Sequence, residues 1–69
     1  MQLKEKEPVN VLRARLNLTQ GELAAKANLS PRTIYLYEKD VKNLRAAKYE
    51  TLQKLADGLE VTVNDIFLG

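Results

Sequence analysis

The chain has 69 residues and contains neither cysteine nor histidine. A chain this short folds as one domain at most, and its small core leaves little room for a large catalytic cleft. Without cysteine and histidine it lacks disulfides, thiol chemistry, the common zinc ligands and the usual general base. We therefore expect no metal, no cofactor and no enzymatic activity. No apolar stretch approaches the ~20 residues of a membrane span, and the N-terminus lacks the apolar core of a signal peptide, so we expect a cytoplasmic protein without a membrane partner.

The charged residues are unevenly distributed around a net charge of +2. Between residues 10 and 48, eight basic and three acidic residues give a balance of +5, whereas residues 49–69 contain one base and four acids, a balance of −3. One end of the chain should therefore attract a polyanion and the other should repel it. The asymmetry alone is equally compatible with an ordinary solvated surface.

The first predicted helix follows a short polar segment. Residues 1–8, with the alternating tract Lys-Glu-Lys-Glu at 4–7, read as a flexible N-terminal arm. Pro8 suits a first-turn position, and the apolar spacing predicts a helix from Pro8 to Leu16 with Val9, Leu12 and Leu16 buried. Asn17 tolerates the left-handed conformation in which many helices end.

The second and third helices each begin at a recognisable capping signal. Thr19 to Glu22 match a capping box, which predicts a helix over about 20–27 that ends at Asn28. Ser30 and Pro31 then supply an N-cap hydroxyl and a first-turn proline, which predict a helix over about 31–39. Because so few residues connect the two helices, they should cross steeply, as in a helix-turn-helix. Their shared interior would contain Leu23, Ala24, Ala27, Leu29, Ile34 and Tyr37.

Two further helices are predicted after an irregular segment. Residues 41–47 show no clear period and are predicted to form a loop. Residues 48–59 read as a helix with Leu52, Leu55, Ala56 and Leu59 buried. Thr62 and Asp65 form a weaker capping box, which predicts a final short helix that places Val63, Ile66 and Phe67 over the core.

The combination of these signals resembles a known family. Leu-Thr-Gln at 18–20, Leu-Ala at 23–24, Ser30, Ile34 and Tyr-Glu at 37–38 together are similar to the helix-turn-helix of phage-repressor and Cro-type transcription regulators. The similarity extends forward to Leu12 and onward through residues 51–56 to 61–67. It therefore covers nearly the whole chain.

The resemblance implies both a fold and a binding mode. It implies an all-α domain over residues 9–69, a compact five-helix bundle of the lambda-repressor-like DNA-binding type. The third helix would lie in the major groove of operator DNA. Arg13 and Glu38 match two positions that form an ion pair in the family, which implies a structural role for both.

Several positions depart from the family pattern. Asn28, Asp40 and Glu60 stand where the family usually has glycine. Asn28 and Asp40 can adopt left-handed geometry, whereas Glu60 does so less comfortably. Tyr35 and Leu36 stand where relatives often carry small or polar residues, so the resemblance does not give the base preference.

Candidate base contacts lie on the outward or flanking surface of the third helix, which the inward stripe of Ile34 and Tyr37 leaves uncovered. Arg32 is the first candidate for direct readout because its guanidinium can pair bidentately with guanine, with a phosphate contact as the alternative. Leu36 could pack on a thymine methyl group or instead form a dimer or crystal contact. Thr33 and Tyr35 could reach either bases or phosphates.

The candidate contacts to the DNA backbone surround this helix. Gln20 stands at the start of the second helix, where its amide and the free backbone N–H groups can bind a phosphate oxygen, or it is simply a solvated helix start. Lys42 and Arg45, with the loop around Asn43, are predicted to clamp phosphates. The complete set of predicted backbone contacts is Thr19, Gln20, Pro31, Lys39, Lys42, Asn43 and Arg45.

The predicted partner is double-stranded DNA with a palindromic operator. A single recognition helix binds too weakly to find one site in a genome, so we expect a homodimer, at least on DNA, and a repressor-like role. Leu44, Phe67 and Leu68 are candidates for a small dimer patch, or each completes its own core. The rival interpretation is a protein-interaction module, such as an antitoxin-like partner, that docks through Tyr35 and Leu36. A catalytic role for Glu38 and Asp40 is the weakest alternative.

Overall fold

The computed structural model describes residues 5–69 and confirms the predicted all-α fold class. Its five α-helices are followed by a single 3₁₀ turn at Val63–Asp65. The helices are α1 (Val9–Arg15), α2 (Gln20–Ala27), α3 (Pro31–Lys39), α4 (Val41–Arg45) and α5 (Tyr49–Leu59). No helix within the described residues is both long enough and apolar enough to cross a bilayer.

The N-terminal starts of α2 and α3 are set by local capping hydrogen bonds. Thr19 Oγ1 accepts a hydrogen bond from the Glu22 N–H at 3.0 Å, and Glu22 Oε1 accepts one from the Thr19 N–H at 2.8 Å. Ser30 Oγ accepts from the Thr33 N–H at 3.2 Å. Each bond satisfies a backbone donor that would otherwise lack an intrahelical partner, so the sequence itself specifies where both helices begin.

The prediction of a loop over residues 41–47 is wrong, because Val41–Arg45 forms α4. Asp40 caps this helix, with its carboxylate accepting from the Lys42 N–H at 2.9 Å. The backbone of Asp40 is consequently extended (φ −147°). Asp40 stands where the family usually has glycine, but it does not adopt the left-handed conformation that this position suggested. A helix of only five residues contains too few turns to show a period in the sequence. The predicted final helix is only the 3₁₀ turn, in which the Thr62 N–H donates to Asp65 at 2.9 Å.

The core lies where the helices meet, and its centre is completely closed to solvent. Leu16, predicted to be buried with α1, is the residue after that helix and is only half-buried. Phe67, predicted to cover the core, is 43% exposed. Burial raises the pKa of Tyr37, which packs partly against the core. The buried apolar residues are Val9, Leu12, Leu23, Ala24, Ala27, Ile34, Leu44, Leu52, Leu55, Ala56, Leu59 and Ile66.

A close approach between α2 and α5 depends on Gly58. A Cβ atom at this position would lie 3.0 Å from Ala27 Cβ and 3.1 Å from the Ala27 backbone nitrogen. Both residues are therefore required to be small, but the sequence pattern indicates only Ala27 as part of the core. The contact fixes α2, the first helix of the helix-turn-helix, against the body of the domain.

The two ends of the described chain meet at a single parallel β-bridge between Glu7 and Ile66. The Glu7 N–H donates to the Asp65 carbonyl at 3.0 Å, and the Phe67 N–H donates to the Glu7 carbonyl at 2.9 Å. The Glu7 carboxylate also pairs with Arg15. The flexible arm at residues 1–8 stays a prediction: its first half lies outside the described residues, while Glu7 is held by these bonds.

Three residues adopt left-handed backbone conformations at helix ends: Asn17 (φ 57°), Asn28 (φ 58°) and Glu60 (φ 62°). The two asparagines occupy the helix-ending positions at which the sequence predicts them. Glu60 follows α5 and pays the steric cost of this conformation without the local hydrogen bonding that asparagine can offer. Its carboxylate pairs with Lys26 at 2.6 Å, which connects α2 to the end of α5.

Candidate nucleic-acid interface

The connection between α2 and α3 consists of Asn28, Leu29 and Ser30. Asn28 turns the chain with its left-handed backbone. The Leu29 N–H then donates to the Ala24 carbonyl at 2.8 Å, and its side chain packs against the core. This tight turn allows α3 to bury Ile34 completely while keeping the opposite side of the helix at the surface.

The outward side of α3 carries the four predicted base contacts. The side chain of Arg32 is exposed and forms no hydrogen bond or ion pair with any residue from 5 to 69. Tyr35 is 46% exposed, and Leu36 and Thr33 are half-buried. An unpaired guanidinium beside an exposed aromatic ring is therefore available for an external partner.

Two of these side chains have neighbours that restrict their positions. Thr33 Oγ1 shares a hydrogen bond of 2.8 Å with Ser30 Oγ, which holds the hydroxyl at the start of its own helix. Lys39 Nζ lies over the ring of Tyr35, 5.8 Å from its centroid. The two residues are four apart on α3, the spacing at which helical side chains meet. Lys39 itself is exposed, so its charge is accessible to solvent.

A hydrogen-bonded group of three side chains joins α1, α2 and α3. Arg13 and Glu38 form the bidentate ion pair that the resemblance implies, at 2.7 and 3.0 Å. Arg13 also donates to the Leu18 carbonyl at 2.8 Å. Gln20 Nε2 donates to Glu38 at 3.0 Å. The carboxylate thus ties the start of α2 to the last turn of α3.

The charge of Glu38 is stabilised by its partners. Burial opposes ionisation, but hydrogen bonds from Arg13 and Gln20, together with the charge of Arg13, outweigh it and hold the pKa of Glu38 below its ordinary value. The hydrogen bond to Glu38 is the main cause that raises the pKa of Arg13, against the opposing effect of burial. Both groups are therefore charged at neutral pH, and Glu38 is engaged structurally.

Gln20 was predicted to contact a phosphate, and that role stays a prediction. One N–H of its amide is used by Glu38, which can only accept hydrogen bonds when ionised. The second amide hydrogen remains for another acceptor. Sequence reasoning placed Gln20 at the start of α2 but missed its bond to Glu38, because the two residues meet only through the tertiary crossing of α2 and α3.

The predicted phosphate contacts after α3 differ in whether their side chains already donate hydrogen bonds within the protein. Asn43 Nδ2 donates to the Leu36 carbonyl at 3.0 Å and so caps the end of α3. Arg45 donates to the Leu68 carbonyl at 3.0 Å. The ammonium group of Lys42 is exposed and has no partner within the described residues. No spacing rule in the sequence indicates the bonds of Asn43 and Arg45.

Thr19 and Pro31, the remaining predicted backbone contacts, lie at the exposed first turns of α2 and α3. The Thr19 hydroxyl is occupied by its capping bond. Of the candidate dimer residues, Leu44 is buried and completes its own core, Leu68 is half-buried, and Phe67 remains exposed. Over residues 5–69, no group of three or more acidic side chains is placed to hold a metal ion.

The fold and this surface together define a helix-turn-helix domain. Residues 11–66 match the family described as Helix-turn-helix, which extends over most of the 69 residues. The chain belongs to this family of DNA-binding domains, and its resemblance to phage-repressor and Cro-type regulators is confirmed. Comparison with curated proteins and with solved structures gives no match.

Proposed function

We propose that the protein is a sequence-specific regulator that places α3 in the major groove of double-stranded DNA. The observation that carries the proposal is the outward side of α3: Arg32 and Tyr35 are exposed there, and Arg32 has no partner within residues 5–69. A major groove about 12 Å wide admits an α-helix, and base edges inside it offer acceptors to a guanidinium.

In this proposal Arg32 pairs with the O6 and N7 atoms of a guanine, since its planar fork matches these two acceptors. Thr33, Tyr35 and Leu36 contact neighbouring bases. The contacts are proposed from position and exposure, because all four residues lie on α3 and none belongs to the fully buried core.

Phosphate contacts would orient the domain on the duplex. Lys42 is the strongest of these because its charge is exposed and unpaired within the described residues. The first N–H groups of α2 and the second amide hydrogen of Gln20 can bind another phosphate. Lys39 contributes a further exposed charge. Asn43 and Arg45 each use one N–H on a carbonyl of the domain, and their remaining N–H donors can bind a phosphate without breaking these bonds.

We further propose that two copies bind a palindromic operator, with half-sites about 34 Å apart, and act as a repressor in the cytoplasm without cofactor or catalytic activity. The basic balance of residues 10–48, which include α2, α3 and α4, supports attraction to a polyanion. Phe67 is a candidate for contact between the two copies because it is 43% exposed.

The primary test is selection of bound duplexes from a random pool at a fixed salt concentration. The proposal expects a palindromic consensus. Arg32→Ala should weaken binding by roughly 1 to 3 kcal/mol and relax the preference at one base pair, and Arg32→Lys should not restore it because a single ammonium lacks the fork. Equal weakening on every sequence would instead make Arg32 a phosphate contact.

A second measurement separates backbone contacts from base readout. Lys42→Ala should reduce the slope of log affinity against log salt by about 1 while the consensus stays unchanged. Lys54→Ala is the matched control, because it removes the same charge from an exposed position on α5. If both variants change the slope equally, only net charge is being measured.

The exposed ring of Tyr35 beside Leu36 also suits a protein-docking surface. An antitoxin-like interaction module would use these residues without contacting DNA. Such a module should show little affinity for any duplex at moderate salt. The absence of duplex binding in the selection would therefore refute the regulator and favour this second function.

A further inference from the structure

Much of the hydrogen-bonding capacity near the outward side of α3 is already used within the protein. Three polar side chains at or beside this surface, Gln20, Thr33 and Asn43, each form a hydrogen bond with another residue of the domain. Arg32 forms none within residues 5–69. Arg32 is therefore the planar, bidentate donor on α3 whose side chain has no partner within residues 5–69, and Lys39 adds an exposed ammonium group. The amides of Gln20 and Asn43 are each committed through one N–H.

Tyr35 and Leu36 add apolar surface on this side of α3, and the Tyr35 ring also carries a polar hydroxyl. Tyr35 and Leu36 are consecutive on α3, so their side chains point about 100° apart around the helix axis and cover adjoining parts of its surface. The ring is 46% exposed, and Lys39 Nζ lies over it. In the described chain, the other large apolar residues with comparable exposure, Val11, Tyr49 and Phe67, lie outside α3. An apolar partner group would be favourable at this position, since it would remove both surfaces from water.

The major groove presents such a group in only one way. Each base pair offers donors and acceptors there, but only thymine adds an apolar substituent, the methyl group at C5. We propose that α3 recognises pyrimidine C5-methyl groups through Tyr35 and Leu36, next to a guanine bound by Arg32. Thymine is then selected mainly through its methyl group. This inference rests on the proposed DNA-binding function and specifies the chemistry that the same surface reads.

The inference is tested on the duplex obtained by the selection described above. Each thymine of the half-site is replaced in turn by deoxyuridine, which removes the methyl group and keeps every hydrogen-bonding atom of the base. Loss of one buried methyl contact should weaken binding about fourfold, and loss of two about fifteenfold. Cytosine and 5-methylcytosine at the same position provide a second pair, in which the methylated base should bind more tightly.

Variants assign the effect to particular side chains. Leu36→Ala and Tyr35→Ala should each bring the ratio of thymine to deoxyuridine affinity towards one at a contacted position. Lys42→Ala is the control: it removes a proposed phosphate contact outside α3, so it should weaken binding to both duplexes by the same factor and leave the ratio unchanged. Because Leu36 is half-buried, its substitution can also affect folding. The ratio of thymine to deoxyuridine affinity of the unsubstituted protein is a test that does not depend on the folding of a variant.

The outcomes separate this inference from the proposed function. If the protein binds the duplex specifically but with equal affinity for thymine and deoxyuridine at every position, methyl recognition is overturned and the DNA-binding proposal stays intact. Absence of binding to any duplex would overturn the proposed function itself. A methyl effect that persists unchanged in both the Tyr35→Ala and Leu36→Ala proteins would overturn the assignment to these two residues.

Discussion

The ion pair between Arg13 and Glu38 should contribute measurably to the free energy of unfolding, and replacing Arg13 tests this. The side chains of Arg13 and Glu38 are 21% and 10% exposed. Breaking a fully buried pair by removing one partner costs about 3 to 5 kcal/mol, whereas an exposed pair contributes about 0.2 to 1. Because Gln20 still donates to Glu38, we expect Arg13→Met to cost roughly 2 to 3 kcal/mol.

This loss is large for so small a domain. At about 0.05 to 0.15 kcal/mol per residue, the total free energy of unfolding should be roughly 3 to 10 kcal/mol. The melting temperature should fall by roughly 8 to 24 °C. Urea titration at pH 7, followed by circular dichroism, measures the loss directly.

A double-mutant cycle identifies the cause of that loss. Replacing Glu38 by methionine in the Arg13→Met protein removes the uncompensated carboxylate, so the double variant should be more stable than Arg13→Met alone by about 1 kcal/mol or more. Near pH 4, protonation of the isolated Glu38 should also reduce the cost of Arg13→Met. A single variant that loses less than about 0.5 kcal/mol, or a double variant that is less stable still, would refute this account of the pair.

Three further predictions concern stability. The pKa of Glu38 is lower in the folded protein than its ordinary value of 4.5. Its stabilising contribution should therefore be complete above about pH 4.5 and decline as pH falls through the folded pKa, so urea titrations should show a smaller loss of stability in acid for Glu38→Gln. Gly58→Ala should destabilise the domain by about 1 to 3 kcal/mol, because the new Cβ would lie 3.0 Å from Ala27 Cβ; this clash should outweigh the better helix propensity of alanine. Gly21→Ala is the exposed control: its Cβ would have no contact closer than 3.9 Å, so it should not destabilise the domain. Equal effects at both glycines would contradict this packing argument. Glu60→Asn should stabilise the protein by roughly 0.5 to 1 kcal/mol in thermal unfolding, since asparagine tolerates a φ of 62° better, and an unchanged or lower melting temperature would show that the lost ion pair outweighs the strain.

The bounds of α2 and α3 show what sequence reasoning predicts well. Thr19 and Ser30 cap these helices through bonds to residues only three positions away. Such interactions depend on the local backbone alone, so a sequence motif is sufficient to indicate them. The same holds for the left-handed asparagines at 17 and 28.

The failures of prediction have a different origin. Helix α4 was missed because the helix that Asp40 caps has only five residues, too few to show a period in the sequence. Its one buried residue, Leu44, is buried by contacts with the rest of the core, which the sequence does not display. The bonds that Asn43 and Gln20 form to residues of α3 were also missed, while their contacts with DNA stay predictions. These bonds join positions that no local rule connects.

The sequence alone determined that this protein is a helix-turn-helix domain, where its two motif helices begin and end, and which side of the third helix faces outward. Those features depend on caps, helical periodicity and a short turn, all of which act over a few residues. Only the tertiary structure decided which polar side chains remain available at that surface. That choice depends on distances between separate helices, and side chains such as Gln20 and Glu38 come together only when the helices pack.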